Sequence, residues 1–217
     1  MNLKEGIDIS IPYRASEQTT SAWYVHPIKI EPVKGDGFVG SVEQGGSVNF
    51  NNITLNPHGN GTHTECVGHI APESFSVNQH MNQWFFEALL ISIEPEKMEE
   101  DWVITANQIK KAIGNLRPEA LVLRTLPNEE NKLQRNYSNS NPAYLEAKAC
   151  EWMAKNGIDH LLLDLPSVDR EIDGGALAAH RAFWDYPENP RMKATITELI
   201  YVPSELPDGQ YFLNLQV

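Results

Sequence analysis

The chain has 217 residues, 41% of them hydrophobic and 21% charged, enough apolar material for a sizeable core. Its formal net charge of −12 argues against nucleic acid and anionic membranes as partners, because both need basic patches. Two cysteines, Cys66 and Cys150, are too few for a disulfide framework, and no apolar run approaches the roughly 20 residues that span a bilayer. Met1 to Gly6 lacks an apolar signal-peptide core, so a soluble protein of the reducing cytoplasm is the expectation.

Residues 7–13 alternate apolar and polar and predict a first strand closed by Pro12. Trp23-Tyr24-Val25 and Ile28-Lys29-Ile30 read as short strand pieces split by His26-Pro27, with glycines at 35, 37, 40, 45 and 46 marking turns. Ser47 to Leu55 reads as a strand whose parity switches. Val48 and Phe50 share one face, Ile53 and Leu55 the other, and a bulge near Asn51-Asn52 reconciles them. The first third is therefore expected to be all-β.

That strand runs into the stretch with the most chemistry, Asn56 to His69, which holds three of the seven histidines and Glu65. If Thr62 to His69 is extended, His63, Glu65, Val67 and His69 point the same way. His58 joins them only if the chain bends at Gly59-Asn60-Gly61, and glycine permits such a bend. Imidazole and carboxylate together suit a borderline divalent cation such as zinc or manganese. Cys66 falls on the opposite strand face and reads as a small packed side chain.

Beyond His80 the pattern changes. Ala88 to Ile93 is an almost continuous apolar run, expected of a strand buried on both faces. Thr105-Ala106-Asn107-Gln108 is a capping box opening a short helix that stops at Gly114. Glu119 to Thr125 predicts another buried strand, and Asn128 to Ser140 an exposed loop. Asn141-Pro142 reads as the start of a helix carrying Leu145, Ala149, Trp152 and Met153 on one face and ending at Gly157. Ile158 to Leu165 returns as a strand, in which His160 reads as structural. This alternation implies crossover units and a largely parallel sheet.

After a turn at Pro166 to Asp169, residues 176–184 predict a short helix carrying His180. Ala194 to Val202 predicts a strand with Glu198 between Ile196 and Ile200. An ionised carboxylate on that face is costly unless it is paired, binds a cation, or lies partly open to water. Tyr211 to Val217 predicts a last strand. Ser167 and Asp169 lack the surroundings of a nucleophile elbow, which disfavours a serine hydrolase.

Gly61-Thr62-His63, an acid at Glu65 and a histidine at His69 resemble the signature of the metal-dependent cyclase family that includes bacterial kynurenine formamidase. Pro166 to Asp169, Ala178-Ala179-His180, Glu198 and Leu206 to Tyr211 resemble its later landmarks, in order along nearly the whole chain. The resemblance implies one α/β domain over 1–217 with a swivelling β/β/α-type core, a mixed sheet flanked by helices. It implies metal ligands at His58, His63, Glu65, His180 and Glu198, a catalytic His69, and one or two zinc or manganese ions. It also implies a small-molecule amide substrate, N-formylkynurenine for an arylformamidase, and a homodimer or larger homo-oligomer. This sequence departs from the family in four places. His58 stands one residue early, Glu65 replaces Asp, Val67 replaces Pro, and Trp23-Tyr24-Val25 replaces a Trp-Pro-Gly element. These departures keep open an isatin-like lactam as substrate, and a binding relative without catalysis. Trp23, Phe183 and Trp184 are candidates for an apolar substrate wall and equally for core.

Overall fold

The computed structural model describes residues 5–217, so Met1 to Lys4 of the amino-terminal segment lie outside the described residues. The elements run β1 (Lys29–Pro32), β2 (Lys34–Gly35), β3 (Phe38–Val39), β4 (Asn51–Thr54), α1 (Pro57–Asn60) and β5 (His63–Glu65). There follow a 3-10 turn (Val67–His69), α2 (Val77–His80), β6 (Phe85–Ile93), β7 (Glu96–Met98), β8 (Asp101–Ile104), α3 (Ala106–Ile113) and β9 (Ala120–Thr125). The chain then forms a second 3-10 turn (Glu130–Gln134), β10 (Tyr144–Leu145), α4 (Ala147–Lys155), β11 (His160–Leu163), α5 (Ala178–Trp184), β12 (Thr195–Glu198) and β13 (Gly209–Asn214).

Among the described residues, the main sheet has six strands in the order β13-β6-β9-β11-β12-β5. Its centre, β6-β9-β11-β12, is parallel, and the edge strands β13 and β5 run antiparallel to their neighbours. The apolar runs at 88–93, 120–125 and 160–163 explain this arrangement, because such strands can bury both faces. Leu89, Ile91, Leu121, Leu123, Leu161 and Ile196 pack with Ile109, Met153, Phe183 and Trp184 of α3, α4 and α5. The alternate residues, Ala88, Leu90, Ala120, Val122 and Leu162, pack on the other side against Met81, Ile200 and Val202. The result is the expected mixed α/β sheet flanked by helices. Among the described residues, no helix is long and apolar enough to cross a membrane.

Several local expectations are corrected. Residues 7–13 form no strand, only a bridge between Ser10 and Ile200. Trp23 and Tyr24 are a left-handed turn, each with φ of 58°, because the backbone reverses there before β1. The strand expected over 47–55 is confined to β4. Asn128 to Ser140 is only partly exposed, since Lys132 and Tyr137 are buried. The helix expected from Pro142 begins at Ala147; Tyr144 and Leu145 instead pair with Val103 and Ile104, so strand pairing overrides the capping signal. The capping box at Thr105 and Gln108 forms as its sequence predicts.

Candidate metal centre

β5 and β12 pair antiparallel with His63 opposite Glu198 and Glu65 opposite Ile196. Directly paired residues share a face, so all four side chains point to the side covered by the helices. α5 crosses that side and delivers His180. Thr62 fixes the start of β5: its hydroxyl accepts from the Ile11 N–H and donates to the Leu199 carbonyl, joining β5 to the end of β12. Glu198 is 3% exposed, so its face is not open to water.

The polar atoms converge. His63 Nε2 lies 3.4 Å from Glu198 Oε2 and 4.0 Å from Glu65 Oε2. His180 Nε2 lies 3.0 Å from Glu65 Oε1 and 3.8 Å from Glu198 Oε1. His58 Nδ1 and His69 Nδ1 approach Glu65 Oε2 at 3.1 Å and 3.4 Å. Their rings stack with centroids 4.6 Å apart, and their side chains remain 44% and 33% exposed. A buried inner set (His63, Glu65, His180, Glu198) is thus flanked by two histidines open to solvent.

The second nitrogen of each inner histidine is already engaged. His63 Nδ1 is 3.0 Å from the Gly61 carbonyl, which can only accept. His180 Nδ1 donates to Asp169 Oδ2 at 2.6 Å, and the Ala179 and His180 N–H groups also donate to Asp169. Both Nε2 atoms are therefore left to face carboxylate oxygens with their lone pairs. Two acceptors 3.0 Å apart, as His180 Nε2 and Glu65 Oε1 are, need a proton or a cation between them.

Among the described residues, two buried side-chain atoms have no hydrogen-bond partner, and they are His63 Nε2 and Glu65 Oε2. Such orphans cost about 1–3 kcal/mol each unless something binds there. Ligand atoms about 2.1 Å from one ion at a tetrahedral angle lie about 3.4 Å apart, close to the spacings of the inner set. Two ligand triads are geometrically available, His63-Glu65-Glu198 and His58-Glu65-His69, sharing Glu65. The nitrogen and carboxylate donors fit zinc or manganese.

Without a cation the carboxylates act on the imidazoles. Burial depresses the His180 imidazolium, but Asp169 and Glu65 outweigh it and lift its pKa to about 10. Burial and the nearby Glu65 charge push Glu198 up, whereas Glu65, although buried, is drawn well below the usual carboxylate range by His180 and His58. Burial holds His69 below its ordinary value, which leaves it neutral near pH 7.

The model of the cyclase family matches residues 7–170, about three quarters of the chain. The chain belongs to the cyclase family. A search of curated proteins returns no match. The fold of this cyclase-family chain is shared with solved structures of low sequence identity. A predicted metal-dependent hydrolase from Bacillus stearothermophilus is 13% identical with a TM-score of 0.62, covering 95% of this chain and 86% of its own. A potential metal-dependent hydrolase with cyclase activity has 14% identity, a TM-score of 0.61 and the same coverage of 95% and 86%. Isatin hydrolase A from Labrenzia aggregata has 11% identity and a TM-score of 0.60, covering 94% of this chain and 83% of its own.

All six residues singled out in the sequence come together in this member of the family, though not by the expected route. Only His63 to Glu65 is extended. The chain then turns, Val67 enters the core at 0% exposure, and His69 returns towards Glu65 from the 3-10 turn. His58 reaches Glu65 because α1 winds the extra residue into a single helical turn. Gly59 in this turn is closely packed: a Cβ there would lie 2.6 Å from Val25 Cγ2 and 2.7 Å from the Ala22 carbonyl. Asp169, given no ligand or catalytic role in the sequence reading beyond its place in the Pro166 to Asp169 landmark and a disfavoured nucleophile set, holds His180. Its place in Pro166 to Asp169, before the His180 helix, is the signal for that role. Phe183 and Trp184 are core at 0% exposure, Cys66 is buried, and His160 bonds the Thr195 hydroxyl.

Proposed function

We propose that this chain is a metal-dependent hydrolase that cleaves the C–N bond of a small amide, in the manner of an arylformamidase. The observation that carries the proposal is the pair of orphaned buried atoms, His63 Nε2 and Glu65 Oε2, facing a second buried carboxylate. His63, Glu65, His180 and Glu198 would hold the cation, and His58 would complete the set from the solvent side. When bound, the cation polarises the scissile carbonyl and lowers the pKa of water towards neutrality.

The chain supplies the rest. Glu65 has one oxygen towards His180 and the other towards His58, His63 and His69, which suits it to sit between two cation positions. His69 is the acid–base group. Its Nδ1 faces Glu65 while its partly exposed ring can meet substrate, so it takes the proton of the attacking water and passes it to the departing amine nitrogen. Water oxygen joins the carbonyl carbon as the C–N bond breaks. For N-formylkynurenine the products are formate and kynurenine.

An isatin-like lactam is the second reading. The Trp23-Tyr24 turn favours it, because this backbone differs from a Trp-Pro-Gly element, and isatin hydrolases share the fold. Formate release from N-formylkynurenine and ring opening of isatin, assayed side by side with zinc and with manganese, separate the two. Absence of stoichiometric zinc or manganese, with no effect of chelator, would instead favour a binding protein without catalysis. His69→Ala should lower kcat by about 10²–10⁴-fold with metal content unchanged, and full turnover in that variant would remove its role.

A further inference from the structure

The Glu171 carboxylate collects donors from two strained turns. Its Oε1 accepts from the Tyr24 hydroxyl at 3.1 Å and the Asn139 N–H at 2.6 Å, and its Oε2 accepts from the Asn141 N–H at 2.9 Å. The same hydroxyl lies 3.0 Å from Asn139 Oδ1, and the Tyr24 N–H donates to the Ser138 hydroxyl. Trp23 and Tyr24 have φ of 58°, Asn139 59° and Asn141 45°, all in the left-handed region. Asparagine visits that region readily and large aromatic residues do not, so the Trp23-Tyr24 turn is the one that needs holding. Backbone of this kind persists only where its surroundings over-determine it.

The other side of the turn carries α1. The Ala22 N–H donates to the Gly59 carbonyl at 2.9 Å, and the Asn60 side-chain amide donates to the His26 carbonyl at 3.1 Å. Ala22 and Val25 close over Gly59 so tightly that no Cβ fits there. Trp23 packs with Leu199, the residue after Glu198. His58 immediately precedes the two anchored residues, with its Nδ1 3.1 Å from Glu65 Oε2.

We propose that Glu171 is a positioning residue for His58, acting through the Trp23-Tyr24 turn. It rests on the reading of His58 as a cation ligand. With four residues, α1 is too short to hold its own shape, so what it packs against sets the place of His58. That support is the turn at residues 22–26, and Glu171 pins the turn. Asp169, two residues before Glu171, holds His180. One short loop thus fixes an inner imidazole directly and an outer one at one remove. The charge state matters as well as the shape. A carboxylate only accepts, and three donors converge on this one. An amide in its place would turn its NH₂ towards at least one of them.

Zinc titration in competition with a chromophoric chelator tests it on four forms of the full chain: wild type, Glu171→Gln, His58→Ala and the double variant. Glu171→Gln should weaken zinc binding by about ten-fold, the lower end of what a group supporting a ligand contributes. In the His58→Ala background it should have no further effect, because the side chain it positions is gone. A general loss of packing would instead weaken both backgrounds equally. Tyr24→Phe removes one donor and should act in the same direction, and it serves in place of Glu171→Gln if that variant does not fold. Hydrogen exchange on metal-free protein gives a reading that needs no zinc. Glu171→Gln should speed exchange at the Ala22, Gly59 and Asn60 amides and leave β9 and β11 unchanged. Undiminished affinity, an equal loss in both backgrounds, or unchanged exchange at those three amides overturns the proposal. A wild type that takes up no zinc, with exchange accelerated in the variant as stated, supports the clamp on α1 and removes the cation reading instead.

Discussion

His63 and Glu198 are 135 residues apart in the chain yet directly opposite on neighbouring strands, with Nε2 3.4 Å from Oε2. The edge strand β5 runs antiparallel to β12, and that register sets the two side chains of the candidate cation site against each other. His63→Ala removes a donor whose other nitrogen is already bonded to the Gly61 carbonyl. Protein purified without chelator should carry zinc or manganese by elemental analysis, and His63→Ala should carry none in stoichiometric amount. Adding chelator should lower the thermal transition of the wild type and leave that of the variant unchanged.

Asp169 acts on the site through His180. Replacing it with Asn keeps the shape but removes the charge that fixes the Nδ1 proton and the start of α5. Asp169→Asn should weaken metal binding by about 10–100-fold in competitive titration with a chromophoric chelator, with the fold retained. Unchanged affinity would show that α5 packing alone aims the ring.

Metal-free protein should lose stability as pH rises. The folded pKa of His180 is about 10 against an ordinary value of 6.5, so the folded state holds the proton more tightly. That contribution is complete below pH 6.5 and disappears as pH climbs towards 10, a loss on the order of a few kcal/mol. Denaturant midpoints of chelator-treated protein should fall across this window. A bound cation takes the place of the proton, so the same series with saturating zinc should be much flatter.

Lys132 and Asp164 form a buried pair beneath the strand ends, with Nζ 2.7 Å from Oδ2 and further bonds to the Thr125 carbonyl and hydroxyl. Burial pushes the Asp164 carboxyl up, and Lys132 is the cation that opposes this. Lys132→Met should cost about 3–5 kcal/mol in urea unfolding, because it strands a buried charge. The double variant with Asp164→Leu should recover much of that loss, which a surface pair would not do.

Local pattern carried far in the central sheet. The apolar runs at 88–93, 120–125 and 158–165 became parallel strands, and Thr105 with Gln108 capped α3, since buried strands and capping boxes are encoded within a few neighbouring residues. Residues 7–13, 23–25 and 141–146 failed for the opposite reason. Their backbones are shaped by partners far along the chain, such as Ile200, Ser138 and Val103, and tertiary pairing overrides weak local preference. His69 was placed beside Glu65 for the wrong reason, as the chain reaches it by a turn.

The amino-acid sequence by itself determined the donor types, their order and the family they resemble, because imidazole, carboxylate and glycine are chemical facts of the chain. Only the tertiary structure decided that these donors share one buried face and that Asp169 locks His180. Those outcomes depend on register and crossing of distant segments, and no short window of residues contains that information.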